Sequence, residues 1–338
     1  NLNNHRIGET CLLPGVAYLE MVLESIREAV GDRKVFGVAN VQWLRPVIVE
    51  DAPVTLKTSF YSGQDGIEFE INRADANEQG LFCQGELVVE EFSGSARLQQ
   101  FREQASDVIT TQINNVKSTG QRLGFEEINR QFAAMGFNFG ESFQVIKHVY
   151  FTSDMAVGEL ALSGTQAVAD GFLFYPALLD GAIRCTIAIN GFASKQSGMP
   201  LPVGLAKLVV HGPLDNDCYV FAQSVATNGA RSRYDVYVFD KANNIIASLL
   251  GFEVQWVAHL AGTRPLKAPA THPVKIAATV THAEVAVART SVPVTASTIR
   301  NRTEQALSYI VDLISTVSKV PVAQINPDLA LERYGIDS

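Results

Sequence analysis

Two stretches of this sequence combine residue types that can move protons. The first runs from His5 to Gly15, with the histidine nine positions ahead of Pro14. An amphipathic run, Val16 to Val30, begins directly after Gly15. Pro and Gly at the mouth of a helix leave backbone N–H groups without intrahelical partners. That end carries partial positive charge and favours a carbonyl oxygen gaining negative charge, which points to Gly15 and Val16 as its donors. A neutral imidazole nearby can remove a proton alpha to that carbonyl. On these residues alone, a lone histidine in a loop before a core helix is the other reading. The second stretch, Tyr175 to Arg184, places Asp180 in an otherwise apolar helix. A buried carboxylate there is costly and calls for a reason. A carboxylate in the first turn that merely stabilises its helix is the competing account, and the position is late for it. Arg184 stands at i+4 from Asp180, on the same helix face. Within about 4–6 Å it would lower the carboxylate pKa by roughly 1–3 units. The alternatives are that Arg184 turns to solvent or pairs with another acid.

The elements that must position these residues follow from periodicity. Val16–Val30 sets Tyr18, Val22, Ile26 and Val30 at helical spacing, with Glu20, Glu24 and Arg27 elsewhere around the turn. The period then changes to two. Strands are predicted at Val35–Val49, Val54–Tyr61, Ile67–Arg73 and Leu81–Glu90, with Trp43 as sheet core. Phe92 to Thr119 is polar and reads as a connector, with 99–106 as a short helix or loop. The pattern then repeats: a helix at Phe125–Met135 ending on Gly136, strands at Val145–Thr152 and Gly158–Ser163, and an apolar helix at Pro176–Ile189. Strands follow at Val203–Val210, Cys218–Ala226, Tyr234–Asp240 and Ile245–Val257. Leu13-Pro14-Gly15 aligns with Tyr175-Pro176-Ala177, and so do the strands behind them. Periodicity alone therefore gives an α+β fold with an internal duplication.

Bulk properties narrow the classes. A chain of 338 residues, 47% hydrophobic and 18% charged, carries a large core. A net charge of −8 argues against nucleic acid as the main partner. No apolar run reaches the roughly 20 residues of a membrane helix, and no signal peptide is visible. Cys11, Cys83, Cys185 and Cys218 are widely spaced, as in a cytoplasmic protein with reduced thiols rather than a zinc or disulfide framework. No metal-ligand cluster or phosphate loop is visible, so no metal is expected. Residues 258–297 shift to Ala, Thr, Val and Pro, a linker signature. A further amphipathic helix is predicted at Asn301–Val320, before the closing run Glu332 to Ser338.

The His5–Gly15 spacing, continued by Val-Ala-Tyr-Leu-Glu-Met, resembles the first active-site motif of polyketide synthase dehydratase domains, most closely those of trans-acyltransferase assembly lines. Asp180 matches the family's catalytic acid. Leu201-Pro202-Val203-Gly204-Leu205 matches its Leu-Pro element, and Gly136 to Phe143 its Gly-Tyr-x-Tyr-Gly-Pro-x-Phe loop. The resemblance implies a double hotdog, two tandem helix-in-antiparallel-sheet units. Its limits would be 1–92 for the first unit, 93–122 for a connector and 123–257 for the second, followed by a linker over 258–300. It implies syn elimination of water from a β-hydroxyacyl thioester on an acyl carrier protein, with His5 as base and a protonated Asp180 as acid. Gly15, Val16, Phe139, Gly140, Arg184, Leu201 and Pro202 would position the substrate. It also implies neighbouring domains such as a ketosynthase, a homodimer, and a strand ahead of the histidine that four residues cannot supply.

Several positions depart from the family pattern. Arg184 stands where a Gln or His orients the acid, Tyr175 replaces a histidine, Phe139 replaces a tyrosine and Glu141 a proline. Those departures keep open altered chemistry on the same fold: double-bond isomerisation, cyclisation to an oxygen ring, chain branching, or carrier binding without catalysis. Residues 301–338 resemble the start of an acyl carrier protein, with Ser338 at the 4'-phosphopantetheine attachment point. The carrier's arm is the only cofactor the resemblance implies. The helix that should follow the serine is absent from the sequence, so efficient modification of Ser338 is not expected.

Overall fold

The computed structural model describes residues 4–257, except 31–34, 50–53, 64–65, 75–79, 90–108, 163–171, 190–191, 193–197, 213 and 215. Two compact units divide the chain, Asn1–Val285 and Ala286–Ser338, and all described residues belong to the first. The 99–106 segment, the linker, the carrier-like segment and Ser338 lie outside the described residues.

The first half opens with two short strands, β1 (His5–Ile7) and β2 (Thr10–Leu12), then helix α1 (Gly15–Val30). Strands β3 (Val35–Trp43), β4 (Ile48–Val49), β5 (Leu56–Ser62), β6 (Ile67–Arg73) and β7 (Leu81–Val89) follow. Helix α2 spans 109–119, then come β8 (Gln121–Gly124), α3 (Phe125–Ala134), β9 (Phe137–Phe139) and one 3₁₀ turn at Glu141–Phe143. The second half adds β10 (Ile146–Phe151), β11 (Met155–Ala161), α4 (Pro176–Ala188), β12 (Met199–Val210), β13 (Asp217–Asn228), β14 (Arg231–Phe239) and β15 (Ile245–Val257).

The architecture is a double hotdog. One antiparallel sheet of eleven strands runs β5-β6-β7-β3-β12-β15-β14-β13-β11-β10-β8. The halves join where β3 pairs β12, with Val38 opposite Leu208 and Val41 opposite Leu205. A second sheet, β4-β2-β1-β9, ties the start of the chain to the loop before β10.

The helices sit inside this sheet for different reasons. α1 is two-faced: Tyr18, Leu19, Val22, Leu23 and Ile26 are buried, while Ala17, Met21, Glu24 and Ser25 are only partly covered. α4 is covered all round, with every residue from Ala177 to Ala188 buried. Its Pro176 sets the first turn without costing a hydrogen bond, and the Tyr175 carbonyl accepts from Leu178 and Leu179. Close approach around α4 depends on two glycines. A Cβ at Gly158 would fall 2.4 Å from Cys185 Sγ, and one at Gly181 would fall 2.4 Å from Val145 Cγ2.

The structure revises several expectations. The run predicted as one strand over Val35–Val49 breaks after Trp43, and its end joins the other sheet as β4. The stretch read as a connector contains α2, whose Ile109 and Val116 pack with Val157, Phe221 and Phe239 on the second half's sheet. Three-residue strands β1, β2 and β9 are too short to show a period. Glu20, read as part of the polar face, is buried. Its carboxylate oxygens accept the N–H groups of Leu173 at 2.7 Å and Phe174 at 3.1 Å, which fixes the chain just before α4.

Candidate active site

His5 is the first residue of β1 and Asp180 lies in the second turn of α4. Strand β9 delivers Phe139 directly opposite His5 in register. The loop that follows brings Phe143 alongside, and the rings of Phe139 and Phe143 stand 5.5 and 5.1 Å from the imidazole. His5 Nδ1 is 3.0 Å from the Leu12 carbonyl oxygen, which only accepts, so Nδ1 carries the proton of the neutral ring. The free lone pair is then on Nε2, which lies 3.7 Å from Asp180 Oδ1. A base nitrogen and a carboxylate separated by about 175 positions in sequence thus face each other.

Both groups line one cavity of about 210 Å³. Gly15, Phe139, Arg184, Leu201 and Pro202 line it as well. Gly15 opens α1, and its N–H has no carbonyl four residues back within the helix. Two positions assigned to substrate positioning do not line the cavity. The Val16 side chain is 1% exposed and turned into the core. The Gly140 N–H donates to the Asn4 carbonyl at 2.9 Å, and a Cβ there would collide with the Asn4 side chain. Its amide is therefore spent on chain pairing.

Arg184 does not turn to solvent. Its Nε stands 2.8 Å from Asp180 Oδ2, a close ion pair whose N–H is poorly aligned for a hydrogen bond, and Nη2 donates to the Phe143 carbonyl at 2.5 Å. Its Cζ lies 4.0 Å from the Phe139 ring centroid and 5.4 Å from that of Phe132. Burial pushes the Asp180 pKa up. The Arg184 charge, joined by His5 whenever its ring is protonated, outweighs this, and the carboxyl is held below its usual range. The protonated Asp180 implied by the resemblance therefore meets an opposing cation at contact distance. Burial in turn draws the Arg184 pKa down and Asp180 pulls it back. A guanidinium remains charged in either case.

Other lining residues were not singled out from the sequence. Trp43, read there as sheet core, donates from Nε1 to the Gly15 carbonyl at 3.0 Å and meets Phe252 edge-on. Tyr18 accepts the Val47 N–H through its hydroxyl at 2.9 Å. Ile183 and Ile187 follow Asp180 at i+3 and i+7, a spacing that does mark the same face of α4. Leu44, Arg45 and Pro46 are the exposed members of the lining, so the cavity opens to solvent past them.

Two family models match this chain. One, described as a polyketide synthase dehydratase domain, covers residues 1–74, and one described as a polyketide synthase dehydratase N-terminal domain covers 114–264. The chain contains a polyketide synthase dehydratase domain. Polyketide synthase PksN of Bacillus subtilis is 27% identical to it over 255 residues, or 73% of this chain. Polyketide synthase ThaG of Burkholderia thailandensis is 28% identical over 254 residues, or 74%. The chain spans 4% of the length of each. In fold, the dehydratase domain is similar to a trans-AT PKS dehydratase domain from Brevibacillus brevis, with a TM-score of 0.62 and 24% identity over 76% of this chain and 89% of that one. It is likewise similar to the dehydratase domain of the CurF module of the curacin polyketide synthase, with a TM-score of 0.59 and 21% identity over 76% and 88% of the two chains. Both family matches end by residue 264, ahead of the carrier-like segment. Among the described residues of the dehydratase domain, no group of three or more His, Cys, Asp or Glu side chains is placed to hold a metal ion. No described helix is long and apolar enough to cross a membrane, and all four cysteines are buried and outside any disulfide.

Proposed function

We propose that this domain eliminates water from a β-hydroxyacyl chain held as a thioester on the phosphopantetheine arm of an acyl carrier protein. The observation that carries the reading is His5 Nε2 facing Asp180 Oδ1 at 3.7 Å inside one largely apolar cavity. His5 Nε2 takes the alpha proton, and the Gly15 N–H at the opening of α1 favours the negative charge that spreads to the thioester oxygen. The C–H electron pair forms the double bond as the β carbon–oxygen bond breaks. The hydroxyl leaves as water with a proton from Asp180. Two forms of the CurK dehydratase, one with a histidine changed to phenylalanine and one with an aspartate changed to asparagine, are each described as inactive mutants, which supports a histidine and an aspartate as the working pair. The carrier, and neighbouring synthase domains that load it, are the partners this reading requires. Attachment of 4'-phosphopantetheine at Ser338 is a separate proposal that rests on the closing sequence run alone.

The Arg184–Asp180 ion pair favours a second reading. A carboxylate held ionised donates a proton poorly, and its lowered pKa also makes it a weak base. A reaction that passes every proton through His5, such as migration of a double bond along an enoyl chain, loses nothing by this. Incubation with carrier-bound β-hydroxyacyl and enoyl substrates in heavy water, read by intact-protein mass spectrometry, separates the two. Loss of one water from the hydroxyacyl chain supports dehydration. Deuterium uptake by the enoyl chain without loss of water from the hydroxyacyl chain supports isomerisation. Neither change with any substrate overturns both.

A further inference from the structure

We infer that Phe139 is a positioning residue: its ring face holds the Arg184 guanidinium on Asp180, so that strand β9 governs how readily the aspartate gives up a proton. The inference rests on Asp180 being the proton donor of the proposed reaction. Two positions that depart from the family pattern, one on β9 and one on α4, are in contact, with Arg184 Cζ 4.0 Å above the Phe139 ring.

A guanidinium buried to this depth needs replacements for the water it has lost. One side of Arg184 faces a carboxylate, Nη2 donates to the Phe143 carbonyl, and the Phe139 and Phe132 rings cover the planar cation. An aromatic face attracts a cation more strongly once water is excluded. The ring itself is well anchored. Phe137 stacks on it at 9° between planes, Phe132 meets it edge-on at 83°, and β9 is held to β1 in register. Since Phe139 pairs with His5 across that register, one side chain touches both the base and the cation that controls the acid. Without the ring, Arg184 keeps its carbonyl and carboxylate partners but loses the surface that fixes its plane, and Asp180 holds its proton to higher pH.

The test is a double-mutant cycle on the intact chain with Phe139→Leu, Arg184→Gln and the pair, plus Phe139→Tyr. The first readout is the pH dependence of kcat for elimination from a β-hydroxyacyl pantetheine thioester. In Phe139→Leu the limb that reports Asp180 should move to higher pH, with kcat at neutral pH rising about threefold or more, within the range of a desolvated ring–cation contact. In the Arg184→Gln background the same change should leave the limb where Arg184→Gln alone puts it. Phe139→Tyr keeps the ring face and should stay close to wild type. Equal shifts from Phe139→Leu with and without Arg184, or a Tyr variant displaced as far as the Leu variant, would overturn the assignment. The second readout, the thermal unfolding of the same four proteins, needs no turnover. Non-additive melting temperatures with no turnover of any substrate would retain the Phe139–Arg184 contact and reject the elimination reaction. Additive melting temperatures would reject the contact.

Discussion

The two hotdog helices face the same cavity with different parts. α1 offers its first turn: Gly15 lines the cavity, while its apolar side anchors the first half and Glu20 reaches across to the approach to α4. α4 offers its middle, where Asp180, Ile183, Arg184 and Ile187 line the cavity within a helix buried on every side. A helix terminus supplies N–H groups without burying any charge. A helix face can supply a carboxylate only if something offsets its desolvation, and here that is Arg184. In a duplicated fold, the two copies therefore carry unequal energetic risk, and in the proposed reaction the copy that carries Asp180 is where chemistry and stability are coupled.

Loss of His5, the proposed base, should give the largest effect. His5→Ala removes the imidazole nitrogen that faces Asp180 in the cavity and should lower turnover by about 10²–10⁴-fold, the usual range for a positioned proton-transfer group. Because His5 stands at the start of a short strand and contributes one side-chain bond to Leu12, folding should survive. A variant that retains wild-type rates in the mass-spectrometric assay would remove His5 from the mechanism.

Removing Asp180, the proposed acid, tests the other copy, and there stability should respond too. Asp180→Ala leaves Arg184 buried without its carboxylate and should cost about 3–5 kcal/mol in denaturant unfolding. The pH dependence has a definite sign. The folded-state pKa of Asp180 is depressed, so the stability it contributes is fully present above the unfolded value of about 3.9. That contribution is lost as pH falls through the lower folded value. The gap between wild type and Asp180→Ala should hold steady at neutral pH and narrow below about pH 4. A gap that stays constant into strong acid would show that the ion pair does not set it.

These residues differ in how visible they were in the sequence. His5, Asp180 and Arg184 stood out because each breaks a pattern, a histidine at fixed distance from Pro-Gly and two charges in an apolar helix. α1 and the long strands were legible from period and α4 from its apolar run behind Pro176, and β6 and β15 fall where the alternation put them. Glu20 was hidden because a glutamate off the apolar stripe looks solvated, and only its distant partners before α4 explain its burial. Phe139 was noted only for the hydroxyl it lacks. Its contact with Arg184 arises from β9 pairing with β1, a register three residues long that leaves no trace in hydropathy.

A smaller effect is expected where the halves are tied together. Glu20→Ala orphans the Leu173 and Phe174 amides and should cost about 1–3 kcal/mol, with increased proteolysis near residue 173 as a local signature. Unchanged stability and cleavage would mean that water replaces the carboxylate there without penalty.

The smallest effect belongs to Trp43, which links the sheet to the start of α1. Its indole N–H donates to the Gly15 carbonyl at 3.0 Å, and its ring meets Phe252 with centroids 6.3 Å apart. Trp43→Phe keeps an aromatic body against Phe252 and deletes the donor. The Gly15 carbonyl is not left without a partner, because it also faces the next turn of its own helix. The stability cost should therefore sit near the low end of about 0.5–1.5 kcal/mol for a lost hydrogen bond. Its consequence for turnover follows from which atom is held. The indole fixes the peptide at the mouth of α1, whose N–H groups would meet charge developing on the thioester oxygen. Such a loss appears in the transition state more than in the bound substrate, so kcat should fall by about two- to fivefold with KM nearly unchanged. If the melting temperature drops while kcat holds, Trp43 only braces the helix, and the opening turn of α1 is positioned without it.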